Sequence, residues 1–164
     1  MSVEFETTKS MKNISPPIEF SGAAQLLLYT RYGDPRKRGW DKKWITEWHV
    51  HVNFPWFPED NILIHKHFRP ILEQAFEALE AAGLHNEIKT FDGGYEVRNI
   101  RGSKAVLSVH SWGAAIDLNA QQNPLGSPGA WSDKFIRTMV RNEVYCGQKW
   151  KDRKDPMHFS MVNG

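Results

Sequence analysis

The sequence predicts a single α+β domain, and three observations predict it. The chain has 164 residues, 40% hydrophobic and 24% charged, which is enough to bury a core without staples. Two stretches carry an apolar stripe at helical spacing: Ile71, Leu72, Ala75, Phe76, Leu79 and Ala82, then Phe135, Ile136, Met139, Val140 and Val144. Short segments at 45–54, 87–91, 95–100, 114–119 and 157–162 read as strands bounded by turn residues. There is no internal repeat, low-complexity tract or interdomain linker. Residues 1–20, polar and containing Ser15-Pro16-Pro17, read as an N-terminal arm; residues 21–164 form the domain.

Composition narrows the function classes. A formal charge of +2 and a pI near 8.7 permit attraction to an anionic polymer but are too weak to imply nucleic acid. No apolar run approaches the ~20 residues of a membrane span, and the acidic N-terminus is not a Sec signal. The single cysteine, Cys146, excludes an internal disulfide and a Cys-rich zinc site, so a metal here must use His and carboxylate. A soluble monomer, made in the cytoplasm and binding neither nucleic acid nor membrane, is expected.

In chain order, residues 21–32 are helix or strand, ended by Gly33-Asp-Pro35. Arg36 to Trp44 mixes basic and aromatic residues and reads as a solvated loop, with stacking on nucleic bases or contact with an anionic polymer as lesser readings. Residues 45–54 alternate, which places His49 and His51 on one strand face, either as a metal pair or as solvent-facing polar residues; the second is favoured. Residues 62–83 contain the clearest helix, preceded by His65 and His67, with Pro70 in its first turn and Gly83 after its end. His65 and His67 are structural or surface residues. Residues 87–91 and 95–100 pair as a hairpin across Asp92-Gly93-Gly94. Ser132 or Asp133 caps the second helix, Trp131 staples onto Ile136, and Cys146-Gly147 ends it.

Chemistry concentrates in two segments, Ser108-Val-His110-Ser-Trp112-Gly113-Ala-Ala115-Ile-Asp117 and Asp155-Pro-Met-His158-Phe159. Two histidines and an aspartate are a ligand set that leaves zinc one open position. A loop histidine and an aspartate on the next strand converge if the strand folds back beneath the loop at Gly113. Asp155, near the site without ligating, has the place of a general base. A cation opposite the metal is also needed; Arg98 is the first candidate and Arg101 the second. By itself the His-x6-Asp spacing is equally that of a satisfied turn histidine and an aspartate capping a loop.

The whole pattern is more specific. Ser108-x-His110-x-x-Gly113-x-Ala115-x-Asp117 with Asp155-x-x-His158 resembles the zinc peptidases that include D-alanyl-D-alanine carboxypeptidases, D-Ala-D-Ala dipeptidases and phage L-alanyl-D-glutamate endolysins. The flanks Gly94-Tyr95-x-x-Arg98-x-Ile100-Arg101-Gly-Ser103 and Asp117-Leu-Asn-Ala-x-x-Asn123-Pro124 look like the endolysin branch. The resemblance covers roughly residues 62–162. It implies Zn2+ held by His110, Asp117 and His158, Asp155 as catalytic base, Arg98 steadying the substrate carbonyl, and Ser108 and Trp112 lining the substrate groove, with Arg101 beside it. It also implies a hedgehog/D,D-peptidase-like fold: a small α+β domain with a mainly antiparallel sheet, helices packed on one side and the zinc site on the sheet.

The expected partner is the peptidoglycan stem peptide, cut between L-Ala and D-Glu and reached from the cytoplasm once another agent opens the membrane. A D-Ala-D-Ala carboxypeptidase or dipeptidase is the nearest alternative. A non-catalytic zinc-containing module that binds cell wall through residues 36–44 is the alternative from another class. Ser160 departs from the Glu or Gln expected there, which implies altered hydrogen bonding around the site rather than a dead site.

Overall fold

The structure, a computed structural model, describes residues 22–164; the N-terminal arm lies outside them. The described residues form four α-helices and six strands. These are α1 (Ala23–Tyr32), α2 (Trp40–Trp44), β1 (Ile45–His49), β2 (Asn61–His65), α3 (Phe68–Ala81), β3 (Phe91–Gly93), β4 (Ala115–Leu118), α4 (Asp133–Arg141), β5 (Tyr145–Gly147) and β6 (Asp155–Ser160). β1 and β2 form an antiparallel pair. The other strands form a four-stranded antiparallel sheet in the order β3-β4-β6-β5. The α+β architecture with antiparallel sheets is as the sequence predicts.

Strand alternation divides the molecule. On β4, Ile116 and Leu118 join Phe159 of β6 in the main core, packed against Phe68, Leu72, Phe76 and Leu79 of α3 and Phe135 and Met139 of α4. Ala115 turns the other way, into a second core with Ala24 and Leu28 of α1, Trp40 and Trp112. Thus α3 and α4 cover one face of the sheet. The opposite face, bordered by α1, is left for Asp117 and His158.

Several local expectations change. Within residues 21–32, Ala23–Tyr32 form helix α1. Asn61–His65, ahead of the long helix, is a strand: Ile62 and Ile64 are β-branched, alternate with exposed neighbours, and pair with β1. The helix begins at Phe68, with Pro70 in its first turn, where the missing N–H has no partner to lose. The 87–91/95–100 hairpin does not form. Phe91 and Gly93 pair instead with Leu118 and Asp117, while Glu96 N–H donates to the His110 carbonyl and Ser108 N–H to that of Arg98. The turn before β4 claims the backbone partners that a hairpin would have used.

Other corrections follow from packing. β1 stops at His49, and Val50–Val52 is a 3-10 turn, so His49 and His51 do not share a strand face. His51 donates to the Phe57 carbonyl instead. Within residues 36–44, Trp40–Trp44 is helical; Trp40 is buried, and the Lys43 and Lys66 ammoniums sit over the Trp44 ring. Of the two readings given for His65, the structural one holds: it is fully buried. Ser132 caps α4 by accepting from Phe135 N–H, and Trp131 stacks on Phe135, ring centroids 4.4 Å apart, in the core cluster that also holds Ile136. α4 ends at Arg141, where Glu143 takes a positive φ; Cys146 and Gly147 belong to strand β5.

Candidate metal centre

Three elements bring the site together. His110 lies in the 3-10 turn Val109–Trp112, whose first residue is preceded by Ser108; the Ser108 hydroxyl accepts from His110 N–H at 3.2 Å. Gly113 ends that turn at φ +65, and an added Cβ would stand 2.6 Å from Ile45 Cδ1 and 2.7 Å from His65 N. Only glycine satisfies both the left-handed backbone and the close approach. The chain then enters β4, where Asp117 pairs in register with His158 of β6.

The ligand atoms of His110, Asp117 and His158 lie within 4.8 Å of one another. His110 Nε2 is 3.2 Å from Asp117 Oδ1, and His158 Nδ1 is 3.8 Å from the same oxygen. His110 Nδ1 donates to the Gly94 carbonyl at 2.9 Å, which turns Nε2 toward Asp117, where a metal would take the place of the Nε2 proton. His158 Nε2 is buried without a protein partner, and the Trp150 ring packs 5.4 Å from the His158 ring.

Burial would raise the Asp117 pKa, but its hydrogen bonds and charge interactions with His110 and His158 outweigh that and hold the carboxyl well below the usual range. The triad therefore offers an ionised oxygen and two imidazoles whose ligand atoms lie close enough to share one ion. That donor set fits a zinc ion, and the cluster can hold a metal.

Asp155 opens β6 and faces the same cavity as the triad. Its pKa is raised, first by burial and also by the charge of Asp117, against opposing contributions from His158, His110 and Arg101. Arg98 is held close by Ser111, which accepts from Arg98 N–H and donates to the Arg98 carbonyl. Its guanidinium pairs with Glu96 at 3.3 Å.

A cavity of about 560 Å³ is lined by all three triad residues together with residues 22–25, Ser108, Trp150 and Met157. A second, of about 340 Å³, is walled by Asp92, Gly94, Glu96 and Asn99. His110, Asp117, Arg98 and Arg101 line both.

Of the residues singled out from sequence, His110, Asp117, His158, Asp155, Arg98, Arg101 and Ser108 therefore meet at one site. Trp112 does not: it is fully buried in the second core, with its indole N–H on the Gly33 carbonyl. The groove tryptophan is Trp150, whose only sequence signal is an aromatic residue alone in the polar run 149–154. The Gly94 carbonyl and Ser111 also went unread, because backbone acceptors and turn serines leave no motif. Ser160 is fully buried, opposite Ala115, and accepts from Val162 N–H.

No curated protein and no solved structure matches the chain. Residues 101–161, which hold the whole triad and Asp155 but begin after Arg98, match the family described as D-alanyl-D-alanine carboxypeptidase, and that match supports a peptidase.

Proposed function

We propose that the protein is a zinc peptidase that hydrolyses peptidoglycan stem peptides, acting as an L-alanyl-D-glutamate endopeptidase. The observation that carries this reading is the cavity space at the cluster. Two cavities, of about 560 and 340 Å³, share His110 and Asp117 in their linings, which supports a substrate that extends beyond a single terminal residue.

In this reading His110 Nε2, an Asp117 oxygen and His158 Nδ1 hold the ion, which when bound polarises the scissile carbonyl and acidifies water. Asp155 takes a proton from the attacking water on a carboxylate oxygen and passes it to the leaving amine. Its partly buried carboxyl, with a raised pKa, is suited to holding that proton. Arg98, anchored through Ser111, turns from Glu96 to donate to the carbonyl oxygen as charge develops there. Arg101, on the same groove, is placed to bind substrate. The neighbouring Trp150 forms part of the wall.

Mass spectrometry of muropeptides digested by the purified protein, with and without chelator, tests the proposal. Fragments with a new D-Glu amino terminus, absent under chelator, are the expected products. The description of the matched family favours a second reading, removal of a terminal D-Ala. Release of free D-Ala with the L-Ala–D-Glu bond intact would establish that activity and reject the endopeptidase.

A further inference from the structure

We infer that Gly147 and Trp131 form a bracket that aims the Asp155 carboxylate at the triad, making both of them positioning residues. The inference rests on the peptidase reading above. β5 and β6 pair regularly at Tyr145–Ser160 and Cys146–Phe159, but the register then shifts, so that Gly147 stands opposite Asp155. Residues 156–158 are thereby accommodated within a bulge, a device that re-aims side chains beside active sites.

The shift requires glycine. A Cβ on Gly147 would lie 2.3 Å from the Asp155 carbonyl oxygen and 3.1 Å from its Cβ. Gly147 does not have positive φ, so its backbone is open to any residue. What excludes a side chain is contact with Asp155 itself.

The other arm is Trp131. Its indole N–H donates to the Pro156 carbonyl at 2.8 Å, in the bulge and next to Asp155. Its own backbone is clamped at both ends by the Gln148 side chain, which accepts from Trp131 N–H and donates to the Trp131 carbonyl, each at 3.2 Å. The chain around Asp155 is thus pressed by Gly147 and held by Trp131, while Asp117 and His158 keep their own pairing across β4 and β6.

The test is Gly147→Ala, alone and combined with Asp155→Ala, with zinc content, kcat, KM and a crystal structure measured for each protein. For Gly147→Ala the expected result is wild-type zinc content, a kcat lower by roughly 100-fold, as misplacement of about 1 Å costs, and little change in KM. In the Asp155→Ala background the same substitution is expected to cost nothing further, since both act through one group. The crystal structure should place the Asp155 carboxylate away from its wild-type position with the triad unmoved.

An unchanged kcat, additive losses in the double variant, or an unmoved Asp155 would overturn the inference. If Gly147→Ala does not fold, Trp131→Phe is read in its place by the same criteria; it keeps the ring stack on Phe135 and loses only the bond to Pro156. A wild-type protein that holds zinc but cleaves no stem peptide would reject the peptidase reading instead, and the crystallographic displacement would still decide whether Gly147 places Asp155.

Discussion

Asp117 and His158 stand directly opposite each other on neighbouring antiparallel strands, with His158 Nδ1 3.8 Å from Asp117 Oδ1. Residues forty-one positions apart in sequence thereby act as a single unit, and their side chains leave the same face of the sheet. His110 reaches that pair from the turn that feeds β4.

Removing either strand ligand should remove the metal. Asp117→Ala or His158→Ala is expected to weaken zinc binding by more than the roughly 10–100-fold that loss of an outer partner costs, as read by titration calorimetry. Zinc should also raise the stability of the wild type, by about 2.7 kcal/mol at a free concentration 100 times Kd, and leave these variants unaffected. Point variants are the informative test here: deleting the last ten residues would take away β6, the strand between β4 and β5.

Asp155→Ala should separate metal binding from chemistry. Zinc content should remain that of the wild type, because Asp155 is outside the ligand cluster. Cleavage should fall by roughly 100- to 10,000-fold, the usual contribution of a general base. Full lysis of purified walls by this variant would remove the assigned base.

Gly113→Ala tests the turn that joins two candidate ligands. The methyl would collide with Ile45 and the His65 backbone at a residue with φ +65. Overpacking of this kind costs roughly 1–3 kcal/mol before backbone strain is added, so the urea midpoint should drop and zinc affinity should drop with it.

Acid should destabilise the protein through His65. Burial, followed by the charges of His67 and Lys66, lowers its pKa to about 3. The unfolded chain, with an ordinary imidazole, takes up the proton first. Stability from this group is therefore complete above about pH 6.5 and declines as pH falls from there toward 3, by about 1.4 kcal/mol per unit. Urea titrations across that range should follow this slope in the wild type, and His65→Asn should flatten it.

The candidate ligand cluster and the two packing helices were legible in the sequence because each rests on local chemistry: residue type at fixed spacing, or a stripe of apolar side chains at a helical period. Strand partners were not legible. Asp92-Gly93-Gly94 has the composition of a hairpin turn, yet it lies along β4 because the turn carrying His110 takes the backbone groups of residues 96 and 98. Trp112 carried the same chemical promise as Trp150, and only packing decided which one was core and which one groove.

The sequence by itself determined that two histidines, an aspartate and a nearby carboxylate were present in a metal-binding pattern within one α+β domain. The tertiary structure decided that Asp117 and His158 share a face, that two cavities meet at His110 and Asp117, and that Gly147 and Trp131 close on the backbone around Asp155. Register and burial are properties of chain segments meeting in space, and no single segment encodes them.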